Sequence, residues 1–405
     1  MKLTALHIVA LSAALALASC SGDAPDAPDT DATITFCRPL VIDSDDASRA
    51  NLINSYLPEG ESFGVMGYCI PRHVNDTSLD EPTSGSSVWE VKKSLVCPDV
   101  LDRAELQVEG NGCFYKSTDD KKVGLWYTKS MLGESATGVD PSAFRYTFVA
   151  YYPYDGRFEV SSEKGNDLGA PRLKYTVVYG SSNDPHGNGV GSSDNRIERH
   201  PDATTDAMYA ITTDHVRASG AVDLKFRHIM SGLSVQLNNY SEAGAVKVNS
   251  VTLNGGFYRD ATIDFSPSDP QITVGSDLYY GTFQFLEASG EGVNRIVKSV
   301  EVPARSAKTA GATDTKPAGT VVLLLPNITG GPGKYLGTDK HIIVKYTFDG
   351  VEYEKTVDFD LGRMPQAGTN YRLNINFLGD QILLMLTANG IEYWQEGSDN
   401  DIIIN

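Results

Sequence analysis

The chain has 405 residues and carries 52 Asp and Glu against 34 Lys and Arg, a formal net charge of −18, which excludes a surface built to grip nucleic acid or an anionic membrane. At 41% hydrophobic and 21% charged residues, the composition is globular rather than disordered, collagen-like or that of a membrane bundle. The length exceeds one ordinary core and, at roughly 150 residues per domain, points to two large domains.

The first twenty residues stand apart from that fold. Lys2 precedes an apolar run from Ile8 to Ala18 broken only by Ser12, shorter than the roughly 20 residues of a membrane span and suited to the core of a secretion signal. The run closes on Leu17-Ala18-Ser19-Cys20, small residues before a Cys that resemble a lipobox. Residues 1–19 are therefore expected to be a lipoprotein signal peptide, and Cys20 the lipidated mature N-terminus. Several acyl chains on one Cys anchor stably, since each buried CH₂ contributes about 0.8 kcal/mol. The expected state is a protein tethered by lipid and lying outside the cytoplasm. Residues 20–31, acidic and with two prolines, read as a solvated spacer.

Beyond residue 31 no window shows a convincing 3.6-residue period, whereas alternation of period 2, bounded by Gly, Pro, Asn and Asp, recurs throughout. The fold class is all-β. Thr33–Ile42 reads as a first strand, with Ile34, Phe36, Leu40 and Ile42 apolar and Pro39 suited to an edge or bulge. Cys37, Cys69, Cys97 and Cys113 follow, and four cysteines in an exported chain allow three disulfide pairings. In Phe144–Tyr152, residues Phe144, Tyr146, Phe148, Ala150 and Tyr152 share one face. Residues 181–206 are nearly devoid of apolar side chains and read as a long loop or linker, which sets the expected boundary between two β-sandwiches, 32–215 and 216–405. The alternations Val222–His228 and Leu233–Leu237 are expected to open the second sheet system. Val321–Leu325 reads as a strand buried on both faces, Asp349-Gly350 as a type I′ hairpin turn, and Asn389-Gly390 as another.

Chemistry-bearing motifs are missing or weak. Gly330-Gly331-Pro332-Gly333-Lys334 lacks the spacing of a phosphate loop, and there is neither an HExxH nor a GxSxG. The acidic runs Asp43–Asp46 and Asp399–Asp401 lack the alternation of a calcium loop. His228 continues an inward strand face as a hydrogen-bonded core residue, and Tyr151, Tyr152 and Tyr154 fit a core better than a sugar platform. No enzyme activity, cofactor or metal is expected.

The segments ITF (34–36), SFGVMGY (62–68), FVAYYPYD (148–155), LKFRHIMSGLSVQL (224–237), AGTNYRLNINF (367–377) and GIEYWQEG (390–397), in this order, resemble the fimbrillin family, the lipoprotein pilins and adhesion lipoproteins of Bacteroidales. The resemblance implies two transthyretin-like β-sandwiches in tandem and a place on the outer membrane or in a fimbrium. It also implies assembly by strand exchange with other fimbrial subunits. In the family members that build pilus shafts, as the resemblance implies, an arginine-specific protease removes the first strand of the N-terminal sandwich and a C-terminal strand of the next subunit fills the groove, head to tail. Carried onto this chain, the released strand holds Ile34, Phe36, Leu40 and Ile42, and Arg49 is the cleavage candidate. The donor is either Gln381–Ala388, with Ile382, Leu384 and Leu386, or the terminal Ile402, Ile403 and Ile404. A disulfide at Cys37 would tether the released strand and block exchange. The alternative is a non-polymerising surface lipoprotein that binds glycans or proteins of a host or bacterial surface.

Overall fold

Alternating apolar side chains pair into β-ladders over most of the described residues. The computed structural model describes residues 33–41, 55–70, 87–117, 123–128, 131, 141–161, 168–177, 197–199, 206–289, 296–305, 316–327, 335–359, 365–387 and 402–404. The fold is all-β, with one short α-helix, Val88–Lys92, among the described residues. No described helix is long and apolar enough to cross a membrane. The helix went unforeseen because five residues show no periodicity. Tertiary contacts hold it: Ser87 caps it by accepting from Glu90 N, Trp89 is fully buried, and Trp89 N donates to Asp214 Oδ1 at 2.8 Å.

The first sheet runs Phe36–Cys37, Gly112–Tyr115, Leu101–Glu109, Ser62–Ile70, Arg145–Tyr152, Met208–His215, Lys225–His228, Leu40–Val41, Ser55–Tyr56. Phe36–Cys37 and Leu40–Val41 are successive pieces of one segment, so the sheet closes on itself. Lys225–His228 thus belongs to this sheet, correcting the expectation that it opens the second system. It follows Met208–His215 as an antiparallel neighbour, with Met208 opposite His228. The passage between the sheet systems falls at Ile229–Met230, beyond the expected division at 215.

Two cores result. Inside the closed sheet lie Ile34, Phe36, Phe63, Leu106, Phe148 and Phe226. The opposite faces of the same strands, with Met66, Tyr68, Val149 and Tyr151, join a larger core reaching Leu384. Arg145–Tyr152 is consequently buried on both faces except at its first residue. Its Tyr146, Phe148, Ala150 and Tyr152 point into the first core as the alternation predicts. A four-stranded sheet, Gln271–Val274, Asp260–Asp264, Arg172–Thr176, Phe158–Val160, combines pieces from both halves of the sequence.

In the C-terminal half a six-stranded sheet contains Leu278–Gln284, Val246–Tyr258, Gly337–Phe348 and Val351–Asp358. Ile197–Arg199, from the expected linker, pairs parallel to Leu278–Gln284. The Asp349-Gly350 turn has φ of 49° and 76°, the left-handed pair that a type I′ hairpin requires. A five-stranded sheet runs Lys316–Leu324, Ser231–Asn239, Asn370–Phe377, Ile382–Thr387, Ile402–Ile404. Val321 to Leu325 are all buried, as expected. Asn389-Gly390 lies outside the described residues.

Candidate functional site

The segment 33–41 is clasped along both edges. On one side it runs antiparallel to Gly112–Tyr115, with Phe36 opposite Cys113 and Cys37 opposite Gly112. Arg38 N donates to Asn111 O at 3.0 Å, and Ile34 N donates to Gly124 O at 2.8 Å. On the other side it runs parallel to the Val222–Phe226 stretch. Val222 N donates to Thr35 O at 2.9 Å, Cys37 N to Val222 O at 3.0 Å and Leu40 N to Leu224 O at 3.0 Å. Between Cys37 and Leu40 the segment advances three residues while its neighbour advances two. This bulge falls at Pro39, which has no N–H to offer a ladder.

The bulge shifts the side-chain phase. Ile34 and Phe36 are core residues at 0% and 2% exposure; beyond Pro39 the inward position passes to Val41, at 1%, and Leu40 is only half-buried. Uninterrupted alternation would have put Leu40 inward. Ile42 and Arg49 lie outside the described residues, as does Cys20. The Phe36 ring meets Phe148 edge-on at 5.4 Å and Tyr115 at 6.3 Å. Tyr115 OH donates to Ile34 O at 2.9 Å, and burial raises this phenol above its ordinary range. At the exit of the segment, Arg38 Nε donates to Leu57 O at 2.9 Å and the guanidinium lies over the Tyr56 ring.

None of Cys37, Cys69, Cys97 and Cys113 is in a disulfide, and the first three are buried. The Cys113 thiol donates to Cys37 O at 3.5 Å. Burial pushes that thiol up to about 12, with the Arg38 charge pulling the other way. The Cys69 thiol is raised well above its ordinary value by burial first and by the Asp99 carboxylate second. Both are therefore protonated at neutral pH, and no disulfide ties the segment to its neighbours.

At the other end of the chain, Ile382–Thr387 pairs antiparallel with Asn370–Phe377 on one side and with Ile402–Ile404 on the other. Leu384 is 1% exposed, and Ile382 is partly buried against the same core. Leu386 lies opposite Ile402, and Leu384 opposite Ile404. Ile402–Ile404 is the outermost strand of its sheet among the described residues. Of the two donor candidates, one is an interior strand of its own sheet and the other an edge.

The remaining sequence candidates fall in the core. Tyr151 and Tyr152 are each 4% exposed, and Tyr154 packs partly buried with its ring stacked on Tyr151. His228, 2% exposed, shares a 2.9 Å hydrogen bond between Nδ1 and Asp206. No group of three or more His, Cys, Asp or Glu is placed to hold a metal ion among the described residues. Sequence reasoning missed Val222 and Leu224 as neighbours of the first segment; no local signal marks a parallel partner some 190 residues away in sequence.

The fimbrillin-like family model matches residues 141–394, more than half of the chain. The chain belongs to the fimbrillin-like family. Membership makes this fimbrillin-like chain a fimbrial or adhesion-related subunit of the cell surface, structural rather than enzymatic. Among solved structures, a candidate cell adhesion protein of Bacteroides ovatus is 12% identical, with 91% of this chain and 100% of that chain covered and a TM-score of 0.45. One of Bacteroides uniformis gives 12%, 91%, 100% and 0.43. The fimbrial anchor protein Mfa2 of Porphyromonas gingivalis gives 9%, 90%, 99% and 0.31. At these identities and scores the likenesses add nothing to the family assignment. No curated protein sequence matches the chain.

Proposed function

We propose that this chain is a subunit of a surface fimbrium, exported as a lipoprotein through Cys20, built as two transthyretin-like sandwiches in tandem, and joined to other fimbrial subunits by strand addition. Cleavage after Arg49 releases the first segment, and the slot takes a C-terminal strand, Ile382–Thr387 or Ile402–Ile404, of a neighbouring subunit. The observation that carries this reading is the two-sided clasp on residues 33–41. Their loss leaves a slot one strand wide, with unpaired backbone on both walls and a core missing Ile34, Phe36 and Val41. Burying three such side chains contributes roughly 1.5–3 kcal/mol each, on the order of 5–9 kcal/mol as an upper figure. That is comparable to the whole stability of a domain, about 5–15 kcal/mol. An emptied slot would therefore bind a replacement strand tightly.

N-terminal sequencing of protein extracted from the cell surface tests this. A mature chain beginning at Ala50, together with a ladder on unheated gels that boiling collapses, is the expected result. A chain beginning at Cys20 and running as a monomer would overturn it. That outcome would favour the second reading, a non-polymerising adhesion lipoprotein, for which the same clasp simply closes the sheet permanently.

A further inference from the structure

Val351–Asp358 leaves one long edge of the six-stranded sheet open. It pairs along its whole length with Gly337–Phe348, from Phe348 opposite Val351 to His341 opposite Asp358, with no shift of register. Among the described residues no strand pairs with its other side. The next rung, Phe359 N donating to Lys340 O at 2.9 Å, sets the phase of the ladder, because in an antiparallel pair the backbone of every second residue turns to the partner. The N–H and C=O groups of Val351, Tyr353, Lys355 and Val357 are thereby used, and those of Glu352, Glu354, Thr356 and Asp358 point outward. Native edges are ordinarily blunted by bulges, Pro or charge. This one has neither bulge nor Pro, and charge is its whole protection.

The facing sheet extends one strand further. Asn239 Nδ2 donates to Gly244 O and Val302 O at 2.9 and 3.2 Å, and Val302 pairs with Val246, so Ser231–Asn239 lies against Val246–Tyr258. Tyr346 meets Phe377 edge-on at 5.0 Å, so Gly337–Phe348 lies against Asn370–Phe377. The two sheets therefore progress in the same direction. Beyond that contact the five-stranded sheet adds Ile382–Thr387 and Ile402–Ile404, and the six-stranded sheet adds Val351–Asp358 alone. The core-facing side of this strand is accordingly under-covered: Val351 is 52% exposed, and Tyr353, Lys355 and Val357 are only half-buried. One strand position stands open beside it.

Charge decides what can fill that position. Glu354 pairs with Lys345 at 3.4 Å and Asp358 with His341 at 2.8 Å. Glu352 lies opposite the neutral Thr347 and has no ion-pair partner among the described residues. A second copy fits badly. Each two-fold antiparallel register of substantial overlap sets two carboxylates opposite each other: Glu352 and Asp358, Glu354 and its own copy, Glu352 and Glu354, or Glu354 and Asp358. Like charges directly opposite are destabilising. A strand of another polypeptide, with Lys or Arg opposite Glu352 and apolar residues toward the core, meets no such repulsion.

We propose that Val351–Asp358 is an acceptor edge for an extended segment of a partner polypeptide, added antiparallel, with a base opposite Glu352 and apolar side chains alternating beside Val351, Tyr353 and Val357. The site is separate from the slot of residues 33–41 and stands with that segment in place. The test is fluorescence anisotropy of a labelled octapeptide, Lys-Val-Thr-Val-Thr-Val-Lys-Val, titrated with the full chain; its second Lys falls opposite Glu352 in this register. The same peptide with Glu for both Lys, and one N-methylated at its two Thr, are separate arms. Saturable binding of the Lys peptide is expected, weakened about tenfold or more in either altered peptide. Glu352→Lys should weaken the Lys peptide and strengthen the Glu peptide by about threefold to tenfold each, an exchange that mere loss of structure would not produce. Thr356→Pro removes an outward N–H without touching the ladder to Gly337–Phe348, so it should abolish binding and leave a cooperative thermal transition. If Thr356→Pro fails to fold, the Glu352→Lys exchange decides. No saturation up to about 1 mM, equal binding of the N-methylated peptide, or an unchanged preference in Glu352→Lys would overturn the proposal.

Discussion

Replacing Phe36 by Ala probes whether the first segment is an integral stave of the closed sheet. The ring is 2% exposed and meets Phe148 and Tyr115 edge-on. A phenylalanine buries about 150–250 Å², which at about 25 cal/mol per Å² is roughly 4–6 kcal/mol as an upper figure. Truncations of buried phenylalanines cost about 3–5 kcal/mol, and the smaller range is the expectation because Ala keeps its Cβ and the unfolded chain already buries part of the ring. Urea unfolding followed by tryptophan fluorescence is the assay. Trp126, 4% exposed, lies in the same core and meets Tyr146 at 4.8 Å. Thr35→Ala, at an exposed position between Ile34 and Phe36, is the control and should change stability by less than about 0.5 kcal/mol. If Phe36→Ala costs no more than the control, the segment contributes nothing to the core, and both the closed sheet and the slot argument fail.

Three further outcomes follow from the same geometry. His228→Phe should cost about 1–3 kcal/mol in urea unfolding, because Asp206, 2% exposed, loses a buried donor; a neutral result would show that the pair is dispensable. Stability should fall at alkaline pH. The Cys113 thiol is raised from 9.0 to about 12 and the Tyr346 phenol from 10.0 to about 12, so the folded state holds protons that the unfolded state releases. That contribution is intact below pH 9 and is lost as pH rises toward 12, and Cys113→Ser should flatten the decline between urea midpoints taken at pH 8 and pH 11. Gly337→Ala should destabilise by at least about 2 kcal/mol, since Gly337 has φ of 125° and a Cβ there would overlap the Gly256 carbonyl on the paired strand; a melting curve like that of the parent chain would contradict the close approach.

How much of this could be read from residues alone depends on the range of the interaction. The Asp349-Gly350 hairpin was legible because its cause is local: two residues that accept positive φ stand between two alternating runs, and the register from Phe348 opposite Val351 to His341 opposite Asp358 follows from the turn. The faces of Arg145–Tyr152 were legible for the same reason, since a two-residue period needs no partner to define it. The burial of its second face was not, because Val149 and Tyr151 are covered by strands from distant parts of the chain. The segment 33–41 was legible as a strand but not as a closure, and its phase change at Pro39 depends on which backbone groups Val222 and Leu224 present to it.

The amino-acid order by itself determined an all-β chain, its Asp349-Gly350 hairpin turn and the apolar faces of strands such as Arg145–Tyr152, because backbone preference and side-chain period act within a few residues. Only the tertiary structure decided that one early segment closes a sheet between neighbours far along the chain. It also decided that two cores share the same strands, and that Val351–Asp358 is left as an open edge. Those outcomes depend on which surfaces meet, and chain order carries no local record of that.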